Sequence, residues 1–228
     1  MADTPELSKE TLRIVLFHAG MRGACVRDAL VGAGYRVHEV QGVKDVNGAA
    51  FLDEMRKLEP SLFVVAGYPI IFKRPLLDIP KYGSWNCHAG PVPEYRGGSP
   101  LNWQIIDGRE TIDVSLLYMD EGIDTGAIIA QMSGPLKPEE TIADAHRMAN
   151  AWFPTMVLDS LKLLLSDSLG MSLQPESDAY RRQRSDDDGE IDLSWDSKRI
   201  RNFIRALTHP YPGAWVRAGD GEKIRIWT

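Results

Sequence analysis

Cysteine is nearly absent: Cys25 and Cys87 are the only two in 228 residues. Two thiols at that spacing make neither a metal motif nor a disulfide framework. A reduced, intracellular chain is the simpler reading, and a cytoplasmic location is expected. No apolar run approaches the roughly 18–20 residues that cross a bilayer, so no membrane partner is expected. The opening stretch, MADTPELSKETLR, is polar and acidic, unlike a secretory leader or a basic transit peptide. His18, His38, His146 and His209 form no ligand-spaced set, so no metal is expected. Basic residues are outnumbered, 26 against 32 acidic, for a net charge of −6. That leaves no broad footprint for nucleic acid and counts against a tRNA substrate. The first glycine loop, Gly20-Met-Arg-Gly23, lacks the G-x-G-x-x-G fingerprint, which argues against a bound dinucleotide. Internal repeats and low-complexity segments are also missing.

What is present is an ordinary globular composition, 43% hydrophobic and 25% charged, long enough for a sizeable core. Apolar runs at Leu12–His18 and Ser61–Ala66 and a short strand at Arg36–Val40 alternate with helical patterns up to Gly34 and over Ala50–Leu58. That alternation predicts an α/β fold: a Rossmann-like, mostly parallel sheet with helices on both faces. Pro100–Ile106 reads as a helix with Pro in its first turn and Gly108 past its end. Ile112–Tyr118 and Ala127–Gln131 supply two further strands. Ile142–Leu165 is the longest helical stretch, with a new turn or kink expected at Pro154. After Ser166 the chain turns polar, and Arg181, Arg182 and Arg184 face Asp186, Asp187 and Asp188 across a loop. A helix over Ser197–Leu207 and a hairpin, Ala214–Arg217 with Glu222–Trp227, complete a small C-terminal region. The expected division is a catalytic domain over 1–165 and a small subdomain over 166–228.

The chemistry concentrates between Ser84 and Gln131. Asn86 and His88 sit two apart in the last turn of a strand, so both project to one face. Open parallel sheets bind ligands beyond the carboxyl ends of their strands, which favours a site there. The alternative is that the pair caps the sheet and hydrogen-bonds loop backbone. Asp124 lies 36 residues beyond His88, so only the fold can join them. Asp-Thr-Gly is also good turn chemistry, and Asp120 and Glu121 are rival acids. An amide donor, an imidazole and a carboxylate together suit acyl transfer to an amine. The loop Gly90–Pro100 carries Tyr95 and Arg96, either as site walls or as packing and ion-pair residues. Arg22 lies at a possible anion site ahead of a helix, where an exposed surface charge is the competing reading.

At these residues the chain resembles a family. Asn-Cys-His-Ala-Gly-Pro-Val-Pro-Glu-Tyr-Arg-Gly-Gly-Ser-Pro and Asp-Thr-Gly-Ala-Ile-Ile-Ala-Gln resemble the signature of the formyltransferases that use 10-formyltetrahydrofolate. The likeness runs from about Leu12 to Trp227 and is nearest the sugar-nucleotide branch. Leu101-Asn102-Trp103, Arg181-Arg182 and Pro210-Tyr211-Pro212-Gly213-Ala214 also resemble that branch. The resemblance implies Asn86, His88 and Asp124 as catalytic residues. It implies a pterin site at Tyr68, Pro69, Ile70 and Gly122. It places Tyr95 and Arg96 in the active-site wall and Arg181 and Arg182 on the nucleotide side. Arg22, from its place ahead of the first helix rather than from the resemblance, is a further candidate for substrate phosphate. The implied substrate is an amino sugar on dTDP, UDP or GDP, made for a surface glycan such as the O-antigen of lipopolysaccharide. The alternatives are a methionyl-tRNA or glycinamide ribonucleotide formyltransferase, and, outside enzymes, a folate or nucleotide binder. A homodimer is the default expectation for such enzymes.

Overall fold

The computed structural model describes residues 7–228, so the first six residues of the opening stretch lie outside the described residues. Strand β1 (Arg13–His18) is buried along all but its first residue. It pairs in parallel with β2 (Arg36–Val40) on one side and β3 (Leu62–Ala66) on the other. Helices α1 (Gly20–Gly32) and α2 (Ala49–Leu58) make the two crossovers that parallel neighbours require. β3 then pairs in parallel with β4 (Ser84–His88), and β4 pairs antiparallel with β5 (Thr111–Tyr118). With β6 (Ile128–Pro135), the six strands run in the order β2-β1-β3-β4-β5-β6. The sheet is mostly parallel, with helical crossovers, and a separate two-stranded hairpin follows it in the chain.

Two elements differ from the sequence reading. β6 is longer than Ala127–Gln131, because Met132–Pro135 continues the alternation of exposed and half-buried residues. A four-residue helix, α3 (Arg74–Leu77), was too short to show any period. Helix α5 (Ile142–Leu165) keeps the bounds expected from the sequence, with Pro154 inside it. A single missing N–H leaves the rest of a long helical ladder in place.

Packing groups the chain into two interleaved units. One runs to His88 and takes in Ser115–Gln131 and Asn150–Glu176. Its core surrounds Phe17, whose ring meets those of Phe72, Phe63 and Tyr68 edge-on at 4.7, 5.0 and 5.7 Å. The second unit comprises Ala89–Val114, Met132–Ala149 and Ser177–Thr228. Within it, α4 (Pro100–Ile106) packs on α6 (Ser197–Leu207), and Asn102 Nδ2 donates to the Ala206 carbonyl at 2.8 Å. Strands β7 (Ala214–Arg217) and β8 (Lys223–Ile226) form the hairpin, pinned by Trp215 Nε1 donating to the Asp186 carbonyl at 3.0 Å. No helix among the described residues is long and apolar enough to cross a membrane.

Candidate active site

The register of the sheet sets the site. Asn86 lies opposite Val65 of β3 and Leu117 of β5, and His88 opposite Ser115. Alternation sends Asn86 and His88 to one face and the intervening Cys87 to the other. Asp124 meets both: Asn86 Nδ2 donates to its Oδ1 at 3.0 Å, and His88 Nδ1 stands 3.3 Å from its Oδ2. The His88 and Asp124 side chains are only 5% and 11% exposed, so this contact is shielded from water. One carboxylate therefore fixes an amide and an imidazole at once. An Nδ1–H directed at Asp124 makes Nε2 the acceptor nitrogen of the ring.

The loop that carries Asp124 is tightly tied. Asp124 itself is left-handed, φ 55°, a conformation that Asp adopts more readily than most residues. Asp120 Oδ1 accepts from the Gly122 amide at 3.1 Å and from Thr125 Oγ1 at 2.5 Å. A Cβ at Gly126 would lie 1.9 Å from the Tyr118 carbonyl oxygen, so only glycine lets the loop close over β5. Glu121 instead reaches outward to Arg74 at 3.6 Å. The three acids that were hard to rank by sequence thus have separate partners: Asp120 builds the loop, Glu121 pairs at the surface, and Asp124 meets the amide and the imidazole. Gln174, which no sequence signal singled out, donates to the carbonyls of Asp124 and Gly126 at 2.8 and 2.7 Å.

Beside the cluster lies a cavity of about 120 Å³. Asn86 and Asp124 line it together with Tyr68, Ile70, Phe72 and Gly122, among others. His88 is not in its lining and reaches it through the shared carboxylate. Tyr68 is anchored by its hydroxyl, which donates to the Val43 carbonyl at 2.5 Å, and burial pushes its phenol up. Pro69 is absent from the lining. Apolar side chains beside the main chain of Gly122–Thr125 suit a flat heteroaromatic ring that bonds to backbone groups. The residues present therefore fit a pterin. A larger hollow, about 630 Å³, lies by Arg56, Glu59, Pro60 and Lys81 and contains none of the nominated residues.

The nominated arginines are already engaged. Arg22, in the same unit as the cluster, directs Nη1 at the Cys87 carbonyl at 3.5 Å and stacks 5.1 Å over Phe153. In the second unit, Arg96 is buried and donates to the Ser177 carbonyl at 2.9 Å. Arg181 pairs with Asp107 at 2.7 Å, and the Tyr95 hydroxyl donates to the same carboxylate at 3.1 Å. Arg182 pairs with Asp188 at 2.6 Å, which raises the guanidinium further and holds the carboxyl well below its usual range. Stacking continues these contacts: Arg181 lies 5.0 Å over Tyr95 and 5.6 Å over Trp103, while Arg184 covers Trp103 at 4.7 Å. Among the described residues, no three His, Cys, Asp or Glu are grouped so as to hold a metal ion.

A six-stranded, mostly parallel α/β sheet carries an amide–carboxylate–imidazole cluster at a strand end, where sheets of this class bind their ligands. Residues 34–153 match the sequence family described as formyl transferase, and residues 184–228 match the formyl transferase C-terminal domain. The chain belongs to the formyltransferase family. A methionyl-tRNA formyltransferase of Geotalea uraniireducens is 35% identical over 177 residues, 77% of this chain and 56% of the relative. The chain spans about half the length of the curated relatives it matches. Among solved structures, a sugar N-formyltransferase from Shewanella superposes with a TM-score of 0.78 at 18% identity, over 95% of this chain and 96% of that one. HypX from Aquifex aeolicus in complex with tetrahydrofolic acid gives 0.78 at 19% identity, over 95% of this chain and 37% of that one. At these identities the two structures establish the fold.

Proposed function

We propose that the chain is a folate-dependent N-formyltransferase that formylates the amine of a nucleoside-diphosphate-linked amino sugar. The observation that carries the transferase reading is the single Asp124 carboxylate bound to both Asn86 and His88. The bound 10-formyltetrahydrofolate supplies the activated formyl group. Asn86 keeps a second amide hydrogen beyond the one given to Asp124, and that hydrogen meets the charge growing on the formyl oxygen. Such a donor contributes about 2.7–4 kcal/mol to the barrier. His88 Nε2 takes a proton from the attacking amine and returns it to the departing folate nitrogen, an acid–base contribution of about 10²–10⁴-fold. Asp124 orients the imidazole and stabilises its charged form between the two transfers. The new C–N bond forms at the substrate amine as the C–N bond to the folate breaks, and no proton is gained or lost in sum.

The family resemblance at Leu101-Asn102-Trp103 and Pro210–Ala214 supports the sugar-nucleotide substrate. At least one of Arg22, Arg181 and Arg182 is proposed to contact the substrate phosphates, and an ion pair of Arg181 or Arg182 used for this must rearrange or be shared. Tyr68, Pro69, Ile70 and Gly122 are proposed to hold the pterin. The proposal also places the catalytic domain at 1–165 and the small subdomain at 166–228, a division supported by the two family matches. A cytoplasmic homodimer acting in surface-glycan synthesis belongs to the same reading. Methionyl-tRNA formylation is the second reading, favoured by the 35% identity to such an enzyme. Formyl transfer from 10-formyltetrahydrofolate should be assayed on dTDP-, UDP- and GDP-linked amino sugars and on charged initiator tRNA. Product on tRNA with none on any sugar nucleotide sinks the sugar assignment. Absence of product on every acceptor, with the folate bound, leaves the binder.

A further inference from the structure

We infer that Gln174 is a positioning residue for the reaction, acting through Asp124. Its side-chain amide donates to the carbonyl of Asp124 at 2.8 Å and to that of Gly126 at 2.7 Å. These carbonyls flank Thr125, so one amide clamps the backbone on both sides of the turn. The clamp holds Asp124 in its left-handed conformation, from which the carboxylate reaches Asn86 and His88 together.

The placement of Gln174 is itself fixed by backbone pairing. Ile128 and Ser172 exchange N–H···O bonds of 2.8 Å in each direction, an antiparallel bridge two residues before Gln174. Extended alternation then turns Leu173 outward, 84% exposed, and Gln174 inward to the loop, half-buried. A glutamine fits this task because its primary amide offers two N–H donors on one nitrogen for two carbonyls without bringing a charge. Glutamate at the same place would aim acceptor oxygens at acceptor oxygens. Asp120, which ties Gly122 and Thr125 from within, is an acceptor and leaves the Asp124 and Gly126 carbonyls to a donor such as Gln174.

This inference rests on the catalytic reading of Asp124, and the test separates the two. Turnover is measured in wild type, Gln174→Leu, Asp124→Asn and the double variant. Gln174→Leu should lower kcat roughly 10–100-fold with the folate KM within about twofold, as expected of a residue that serves the transition state. In the Asp124→Asn background the same change should cost less than about twofold, because residues in one network are not additive. An equal loss in both backgrounds, or no loss in the wild-type background, overturns the inference. Leu173→Ser is the control on the same segment and should keep full turnover. Hydrogen exchange of the Asn86 side-chain amide supplies a readout independent of activity. It should quicken in Gln174→Leu, and unchanged exchange also overturns the role. If Asp124→Asn keeps full turnover, the catalytic reading fails by itself and the exchange measurement alone decides on Gln174. Gln174→Met, of similar length, replaces Gln174→Leu if the leucine variant does not fold.

Discussion

Cys87 lies between Asn86 and His88 in sequence yet faces the opposite side of β4, and burial pushes its thiol up to about 12, with the charge of Arg22 too weak to offset it. A neutral thiol is neither nucleophile nor ligand at physiological pH. Iodoacetamide at about pH 8 should therefore label Cys87 only after unfolding, a difference that mass spectrometry of the peptide reads directly. Fast labelling of the folded chain would show that β4 opens. His88 and Asp124 carry the reverse expectation. Replacing either by Asn should lower turnover by about 10²–10⁴-fold while the folate dissociation constant stays nearly constant. Loss of folate affinity with turnover retained would move these residues into the cofactor site. Of the cluster, Asn86 and His88 were legible because a period of two fixes their common face. Asp124 was separable from Asp120 and Glu121 only through the family resemblance, since a turn-rich loop has no period. Gln174 had no signal at all: its partners lie 50 and 48 residues away, and its role depends on a bridge between Ile128 and Ser172.

Elements carried the stronger sequence signals because their periods repeat. The buried strands β1 and β3 stood out as continuous apolar runs, and α6 as an amphipathic helix whose cap, Asp196, accepts from the Arg199 amide at 2.8 Å. β6 was underestimated at its end, where tertiary pairing outweighs local propensity. The loop between β5 and β6 is the element on which the site depends most. Tyr118 donates to the Ala127 carbonyl at 2.8 Å across its base, and Gly126 lies against the Tyr118 carbonyl. Gly126→Ala cannot be absorbed by a flexible side chain, since the atom it meets, 1.9 Å away, is backbone. Overpacking of that kind costs about 1–3 kcal/mol. The variant should melt several degrees lower and lose turnover by about 10²-fold, because the Asp124 carboxylate moves with the loop. Wild-type turnover at a lowered melting temperature would detach the loop's geometry from the chemistry.

Across the whole molecule, carboxylates held below their ordinary range gather in the second unit. Hydrogen bonds from Arg225 and then Lys223 hold Asp186 down to about 2. Asp188 is lowered by Arg182 and the Ser185 amide, Asp192 by Ser194, and Asp144 first by the Thr141 amide. In the first unit, among the described residues, Glu10 alone is lowered, by Ser8. A folded value below the unfolded one, about 3.9 for Asp, means that the unfolded chain binds protons first as pH falls. The stabilisation is therefore complete above about pH 4 and is lost as the pH falls towards about 2. Asp186 and Asp192 are exposed, so salt screens their share of the effect, whereas Asp144 and Asp188 are half-buried. Four of the six tryptophans, Trp103, Trp195, Trp215 and Trp227, lie in the second unit, so intrinsic fluorescence reports mainly on it. Asp186→Asn should lower the urea midpoint at about pH 7, and the gap from wild type should close as pH falls below about 3. A gap that stays constant over that range would mean that the pairing of Asp186 with Arg225 adds nothing to stability in solution. Raising the salt concentration at neutral pH should narrow the same gap, whereas a gap insensitive to salt would assign the loss to packing of the hairpin.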